Sequence, residues 1–403
     1  MAAAIEARDW YGFVRATLWE ASATASPAEP AYADVLQERR KTLEELGAPH
    51  PYVAWVSAVE ASTWLDTGRW QECTDRLRVA LGSAPGVAGD VISRLVATRL
   101  AVLQGRQSEA ESHLARAEEL IAETTDCIDV DFDAVRAMVR LGAGDSSGAV
   151  QAALAGTTAE IPPTMCEWLM PLAARGLADL AKRGEPLDEP LDEPLGRLDA
   201  CAARFPHVVR DSAFHNSPFY LRQLDGLDAL YAAEVSRAHR SADEADRWSA
   251  AVALLDGVLP WEEADAAFRA AESRLVRGHG SRDEAASMLR RAHALASRLR
   301  AEPIVREVED LAQVARIPLA YVTPSSTSPA RPGSDKRPCG ITPRQQEILD
   351  HIAAGRTYGE IARALFLSEK TVSSHVSSLL RKTGAANRVE LARLAQHRDG
   401  RGP

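Results

Sequence analysis

The sequence predicts an all-α fold in two parts, a long body of helical repeats and a small four-helix module at the C-terminus. Three observations carry that expectation. Residues 1–320 are rich in Ala, Leu, Arg and Glu, with apolar residues three and four apart, the spacing of one helical face. Runs of alternating β-branched residues, the mark of half-buried strands, are absent. One pattern also recurs along the body, a glycine followed at +5, +9 and +12 by small or apolar residues.

The repeat defines the body's elements in order. WLDTGRWQECTDRLRVAL places Cys73, Leu77 and Ala80 after Gly68, and AVLQGRQSEAESHLARAEEL places Ala110, Leu114 and Ala117 after Gly105. LGAGDSSGAVQAAL is a weaker copy at Gly144, with Ala149 and Ala153. RGHGSRDEAASMLRRAHAL places Ala285, Leu289 and Ala292 after Gly280. A glycine can end one helix in a left-handed conformation, and a small residue five later lets the next helix lie close. Stacked hairpins of this kind bury what one hairpin cannot. The pattern resembles tetratricopeptide repeats, although the first three glycines stand 37 and 39 residues apart, longer than that family's usual spacing of about 34. An irregular helical bundle is the alternative.

Between the repeats, EPLDEPLDEPLG at 185–196 has Pro every fourth residue. A surface loop is expected there, with Asp188 and Asp192 solvated. GAGDSSG at 142–148 resembles a loosened dinucleotide fingerprint, but no strand precedes it, and it is read as a hairpin turn. The eight tryptophans all lie in the body, where interhelical core is preferred over an aromatic-lined groove. YVTPSSTSPARPGSDKRPCG, 321–340, reads as an extended linker. Twenty such residues span on the order of 25 Å, at about 5–6 Å times the square root of their number.

At 403 residues, with 26% charged and 46% apolar, the chain has material for two or three globular domains. No run of eighteen apolar residues occurs and MAAAIEARDW lacks a secretory pattern, so no membrane association and a cytoplasmic location are expected. The five cysteines, Cys73, Cys127, Cys166, Cys201 and Cys339, form no CxxC pair or zinc spacing and are read as reduced thiols. No catalytic spacing stands out, and neither catalysis, a cofactor nor a metal is expected. The charge is uneven. Residues 341–398 hold nine Lys/Arg and five Asp/Glu, a net +4, whereas residues 1–340 carry −14. A basic tail on an acidic body suits a chain whose tail alone meets phosphate.

The tail reads ITPRQQEILDHIAAGRTYGEIARALFLSEKTVSSHVSSLLRKTGAANRVELARLA. Thr342 can cap a first helix with Pro343 at its first position, Ile348, Leu349 and Ile352 inside, and Gly355 at its end. Thr357 can cap a second, with Ile361, Ala362 and Leu365 buried and Leu367 in the turn. Ser368 can cap a third, whose core face is Val372, Val376, Leu379 and Leu380; Gly384 ends it. Asn387 starts a fourth, from Arg388 to about His397. Two helices joined so tightly form a helix-turn-helix, whose second helix enters the DNA major groove. Subtracting the core leaves Lys370, Thr371, Ser373, Ser374 and Ser377 to face the groove. Short hydroxyls discriminate bases weakly, so phosphate contacts should supply much of the affinity. His375 is read as packing or a phosphate contact, not a metal ligand.

These residues resemble the LuxR-type helix-turn-helix family. The likeness runs through Thr342, Arg344, Glu347, Leu349, Gly355, Glu360-Ile361-Ala362, Leu365, Leu367-Ser368, Thr371-Val372, His375, Lys382, Gly384, Arg388 and Ala392. Sigma-factor C-terminal modules share the helical pattern, but Lys382-Thr383-Gly384 and the fourth helix favour the LuxR type. The resemblance implies base contacts at Ser373, Ser374 and Ser377. It implies backbone contacts at Thr371, Lys382 and the start of the second helix, Thr357 and Tyr358, and pairing of two copies through the last helix. Tyr358 stands where Asn is usual and Ser373 where Lys is frequent, which bears on one backbone contact and one base or phosphate contact.

Residues 280–317, followed by the Pro-rich linker and this module, are similar to the C-terminal half of the large ATP-binding LuxR-type regulators of actinobacteria. The chain begins inside the repeats and holds no GxxxxGK[ST], so ATP binding is not carried over. The expectation is a promoter-binding transcriptional regulator, an activator by resemblance, whose body senses a protein or small-ligand effector. Double-stranded DNA, a second copy of the chain and RNA polymerase are its expected partners. Two other readings stay open: an interaction scaffold with a vestigial helix-turn-helix, and a truncated ATPase-type regulator. The expected bounds are 1–320 for the body, 321–340 for the linker and 341–398 for the module.

Overall fold

The computed structural model describes residues 2–25, 29–82, 84–122, 132–157, 166–185, 189–204, 218–277 and 281–319, and then 348–349, 351–352, 356–357, 360–362, 372, 376 and 379. The chain divides into two compact units, Met1–Thr323 and Pro324–Pro403. No strand occurs among the described residues, and none of their helices is long and apolar enough to cross a membrane. The expected linker lies outside the described residues.

The first unit opens with α1 (Ala2–Ala7), α2 (Trp10–Thr24) and α3 (Pro30–Glu45). Asp9 caps α2 by accepting the Gly12 N–H at 2.9 Å. Three hairpins follow: α4 (His50–Asp66) with α5 (Trp70–Leu81), α6 (Gly86–Leu103) with α7 (Gln107–Ala122), and α8 (Phe132–Gly142) with α9 (Ser146–Gly156). Their turn glycines, Gly68, Gly105 and Gly144, all adopt left-handed backbone, with φ of 74°, 76° and 78°. In each, the next residue's N–H closes onto a carbonyl five back: Arg69 to Trp64 at 2.7 Å, Arg106 to Ala101 at 2.8 Å and Asp145 to Arg140 at 2.9 Å. That closure satisfies the last carbonyls of a helix ending on glycine. Cys73, Ala110 and Ala149 at +5, Ala80 and Ala117 at +12, and Ala153 at +9 are fully enclosed, so the second helix can lie directly on the first. Asp145 also caps α9 through the Gly148 N–H at 2.9 Å, so residues 142–148 form a hairpin turn.

The unit continues with α10 (Cys166–Arg183), α11 (Asp192–Arg204), α12 (Pro218–Ala238), α13 (Glu244–Leu255), α14 (Pro260–Arg277), α15 (Arg282–Leu299) and α16 (Glu302–Val314). Gly280 lies outside the described residues, but Ala285, Leu289 and Ala292 are fully buried, and a Ser281–Glu284 capping box starts α15. The loop expected at 185–196 is corrected in its last five residues: α11 begins at Asp192. Pro194 is its third residue, in the turn whose N–H groups lack helical partners anyway. Leu195 and Leu198, both buried, anchor the helix. Asp192 is solvated, as expected, and Asp188 lies outside the described residues.

The first helix of each pair also packs on the next: α4 on α6, α6 on α8, α8 on α10, and α10 on α12. The path then returns on itself. A Cβ at Gly68 would lie 2.9 Å from Leu299 Cδ2, and one at Gly105 would lie 2.9 Å from Pro303 Cγ. Early hairpin turns therefore abut the late helices, and a continuous buried cluster runs from Ala33 to Ile317. Trp64, Trp70, Trp168 and Trp248 are buried in it, while Trp19 is exposed. Cys73 and Cys201 are buried free thiols; Cys127, Cys339 and the Cys166 side chain lie outside the described residues.

Candidate nucleic-acid interface

The second unit is built around the core face that the sequence marks. Ile348, Leu349 and Ile352 are buried on the first helix, Ile361 and Ala362 on the second, and Val372, Val376 and Leu379 on the third. The last three are spaced four and three, which places them on one side of a helix. Leu365 and Leu380 lie outside the described residues.

The first helix ends as the body's hairpins do. Arg356 donates its N–H to the His351 carbonyl at 3.1 Å, the same five-residue closure, with Gly355 in the position of the turn glycine. Gly355 itself lies outside the described residues.

Thr357 then starts the second helix. Its hydroxyl accepts the Glu360 N–H at 3.3 Å, and its own N–H donates to Glu360 Oε2 at 2.7 Å, a reciprocal capping box. The Thr357 hydroxyl also donates to the same carboxylate at 2.9 Å, and the Thr357 carbonyl accepts the Ile361 N–H at 3.0 Å. Both donors of Thr357 are thus committed to Glu360. Glu360 is a residue the site expectation omitted, although T-x-x-E spacing announces it. Its carboxylate offsets the positive end of the helix dipole.

Of the expected DNA-contacting residues, Thr357 is described. Tyr358, Ser368, Lys370, Thr371, Ser373, Ser374, His375, Ser377, Lys382 and Arg388 lie outside the described residues. No group of three or more metal-binding side chains occurs among the described residues.

Residues 340–395 match the family described as bacterial regulatory proteins, luxR family. The uncharacterized transcriptional regulatory protein YhcZ of Bacillus subtilis is 49% identical over 55 residues, 14% of this chain and 26% of that protein. The transcriptional regulatory protein UhpA of Escherichia coli is 43% identical over 53 residues, 13% of this chain and 27% of its own length. The chain thus spans about a quarter of the length of these relatives. The spore germination protein GerE of Bacillus subtilis differs in coverage: it is 38% identical over 60 residues, 14% of this chain but 81% of GerE. No solved structure matches the chain. Since most of GerE is matched at that identity, and the family match covers the whole capped, buried face just described, the chain belongs to the luxR family of bacterial regulatory proteins, which bind DNA to regulate transcription.

Proposed function

We propose that the chain is a sequence-specific transcriptional activator whose C-terminal module reads a promoter and whose helical body senses an effector. The observation that carries this is the inward register of Val372, Val376 and Leu379 within the family match. With that face turned inward, the residues between its members, Lys370, Ser373, Ser374 and Ser377, are proposed for the groove side. These are the groups assigned to the major groove. Thr371, Lys382 and Arg388 are assigned to the phosphate backbone, with the start of the second helix at Thr357 and Tyr358. His375 is assigned to packing or a phosphate contact. Two protomers paired through the last helix would place two readers on two half-sites. RNA polymerase is the expected downstream partner, and regulation is a population shift without catalysis.

The test is a gel-shift series with the full chain on the DNA upstream of its own gene, repeated across salt concentrations. Affinity is expected to fall steeply with salt, because binding releases counterions from phosphate. Replacing both Lys382 and Arg388 with Ala should weaken binding on every sequence and lower the salt slope by about 2. An unchanged slope removes these two from the backbone contacts. Absence of binding at low salt to any genomic fragment would leave the body as an interaction scaffold.

A further inference from the structure

The interior of the first unit holds a cavity of about 470 Å³, bounded by α6, α8, α10, α12, α14 and α16. Pockets that enclose small organic ligands run from roughly 300 to 1,000 Å³. Trp168 and Trp261 line it, with Met138, Leu172, Leu227 and Leu230 as apolar wall.

The charged lining is almost entirely paired. Arg175 meets Asp265 at 3.0 Å, Arg269 meets Glu272 at 3.1 Å, and Lys182 meets Glu272 at 2.7 Å. Arg183 is bound by Glu185, and Arg237, behind the wall, holds Glu234 and Asp179 at 2.6 Å and 2.7 Å. Glu307 lies 3.8 Å from Arg269. Glu262 is different. It lines the cavity, is 9% exposed, and beyond its own backbone N–H its carboxylate has no ion pair or hydrogen bond among the described residues. Arg99, a cation near it, is paired with Asp66 at 2.5 Å. The indole N–H of Trp261, next in sequence, is buried and donates to nothing among the described residues.

We propose that this cavity binds an organic amine, its ammonium paired with Glu262, its apolar body against Trp168, Trp261 and the leucine wall, and an acceptor atom taking the Trp261 N–H. The alternatives fit less well. An anion would meet an unpaired carboxylate and find every lining cation already engaged. A neutral apolar molecule would leave Glu262 and the Trp261 N–H buried without partners, which costs free energy. A metal ion would find one free carboxylate, and no metal-binding group of three occurs among the described residues. Burial, with Asp66 and Asp265 nearby, also pushes the Glu262 carboxyl up to about 7, as befits a carboxylate without a counter-charge. An occupant would touch both early and late helices of the unit. That it thereby acts as the effector rests on the regulatory reading above; binding itself does not.

The test is calorimetric titration of the full chain at pH 8. The probes are tyramine, 4-methoxyphenethylamine and a panel of primary aryl-alkyl amines bearing a hydroxyl or ether oxygen that can accept the Trp261 N–H, each with its carboxylate and alcohol isosteres. Amines are expected to bind, and their isosteres to bind at least about tenfold more weakly, as loss of one charged partner dictates. Glu262→Gln, which keeps the side-chain shape, should weaken the amines by a similar factor. No binding by any amine, an isostere binding as well as its amine, or an unchanged affinity in Glu262→Gln each overturns the proposal. A gel shift with the bound amine separates the two readings. Amine binding that leaves DNA occupancy unchanged refutes the effector role and keeps the site.

Discussion

A glycine at a hairpin turn supplies a left-handed backbone and an absent Cβ, and this body separates the two. Gly144 and Gly68 share the conformation, φ 78° and 74°. A Cβ at Gly144 would meet nothing within 4 Å, whereas at Gly68 it would lie 2.9 Å from Leu299 Cδ2 and 3.2 Å from Pro260 Cγ. The conformation alone does not demand glycine. Arg300 takes φ 60° at the end of α15, with the same closure from the Ala301 N–H to the Ala296 carbonyl at 2.9 Å. Gly144→Ala is therefore expected to cost only the left-handed penalty, about 1–2 kcal/mol. Gly68→Ala should cost more, because the proline ring cannot swing aside. Urea denaturation of both variants checks this; equal losses would mean that the late helices give way freely at Gly68. The glycine spacing was legible in the sequence because a helix stop is local. The approach of Pro260, nearly two hundred residues downstream, was not.

At the scale of elements, the capping box of the second module helix is the feature most open to test. Thr357 and Glu360 exchange backbone and side-chain bonds across one turn. Losing such a cap costs about 1 kcal/mol, which corresponds to roughly fivefold faster amide exchange through local opening. Thr357→Val should show that acceleration in peptides covering residues 357–365 of the full chain, while Thr357→Ser should not. Similar exchange in Val and parent would show that the cap does not hold this helix. The module's core face was readable because each helix declares it within a dozen residues: Val372, Val376 and Leu379 are all buried as spaced. The start of α11 was hidden for the opposite reason. Pro194 reads as a breaker by composition, and only its place in the first turn, with Leu195 and Leu198 seated in the core, makes it compatible with a helix.

For the whole molecule, what the sequence concealed is the paired charge inside the body. Arg175 and Asp265 stand ninety residues apart, as do Lys182 and Glu272, so no periodicity or motif links them. That interior makes stability depend on pH. Arg237 and Arg175 hold Asp179 below the usual carboxylate range despite its burial. Such a carboxyl contributes stability above its ordinary pKa and loses it as the pH falls. Glu262 runs the other way. Burial raises it from the ordinary 4.5 to about 7, so the folded state holds its proton more tightly than the unfolded chain does. Its contribution is fully present below about 4.5 and is lost as the pH rises through about 7. At pH 8 the folded protein carries an unpaired buried charge, a penalty on the order of 3 kcal/mol at about 1.4 kcal/mol per pKa unit. Glu262→Gln removes it. The variant is expected to melt above the parent at pH 8 and to approach it near pH 4, below both pKa values, where the carboxyl is mostly protonated in the folded and the unfolded chain alike. Thermal melts of the two proteins at both pH values decide the matter. A difference that does not change with pH would show that Glu262 ionises normally. A variant less stable at pH 8 would show that the carboxylate has a structural partner, and the amine site would lose its anchor.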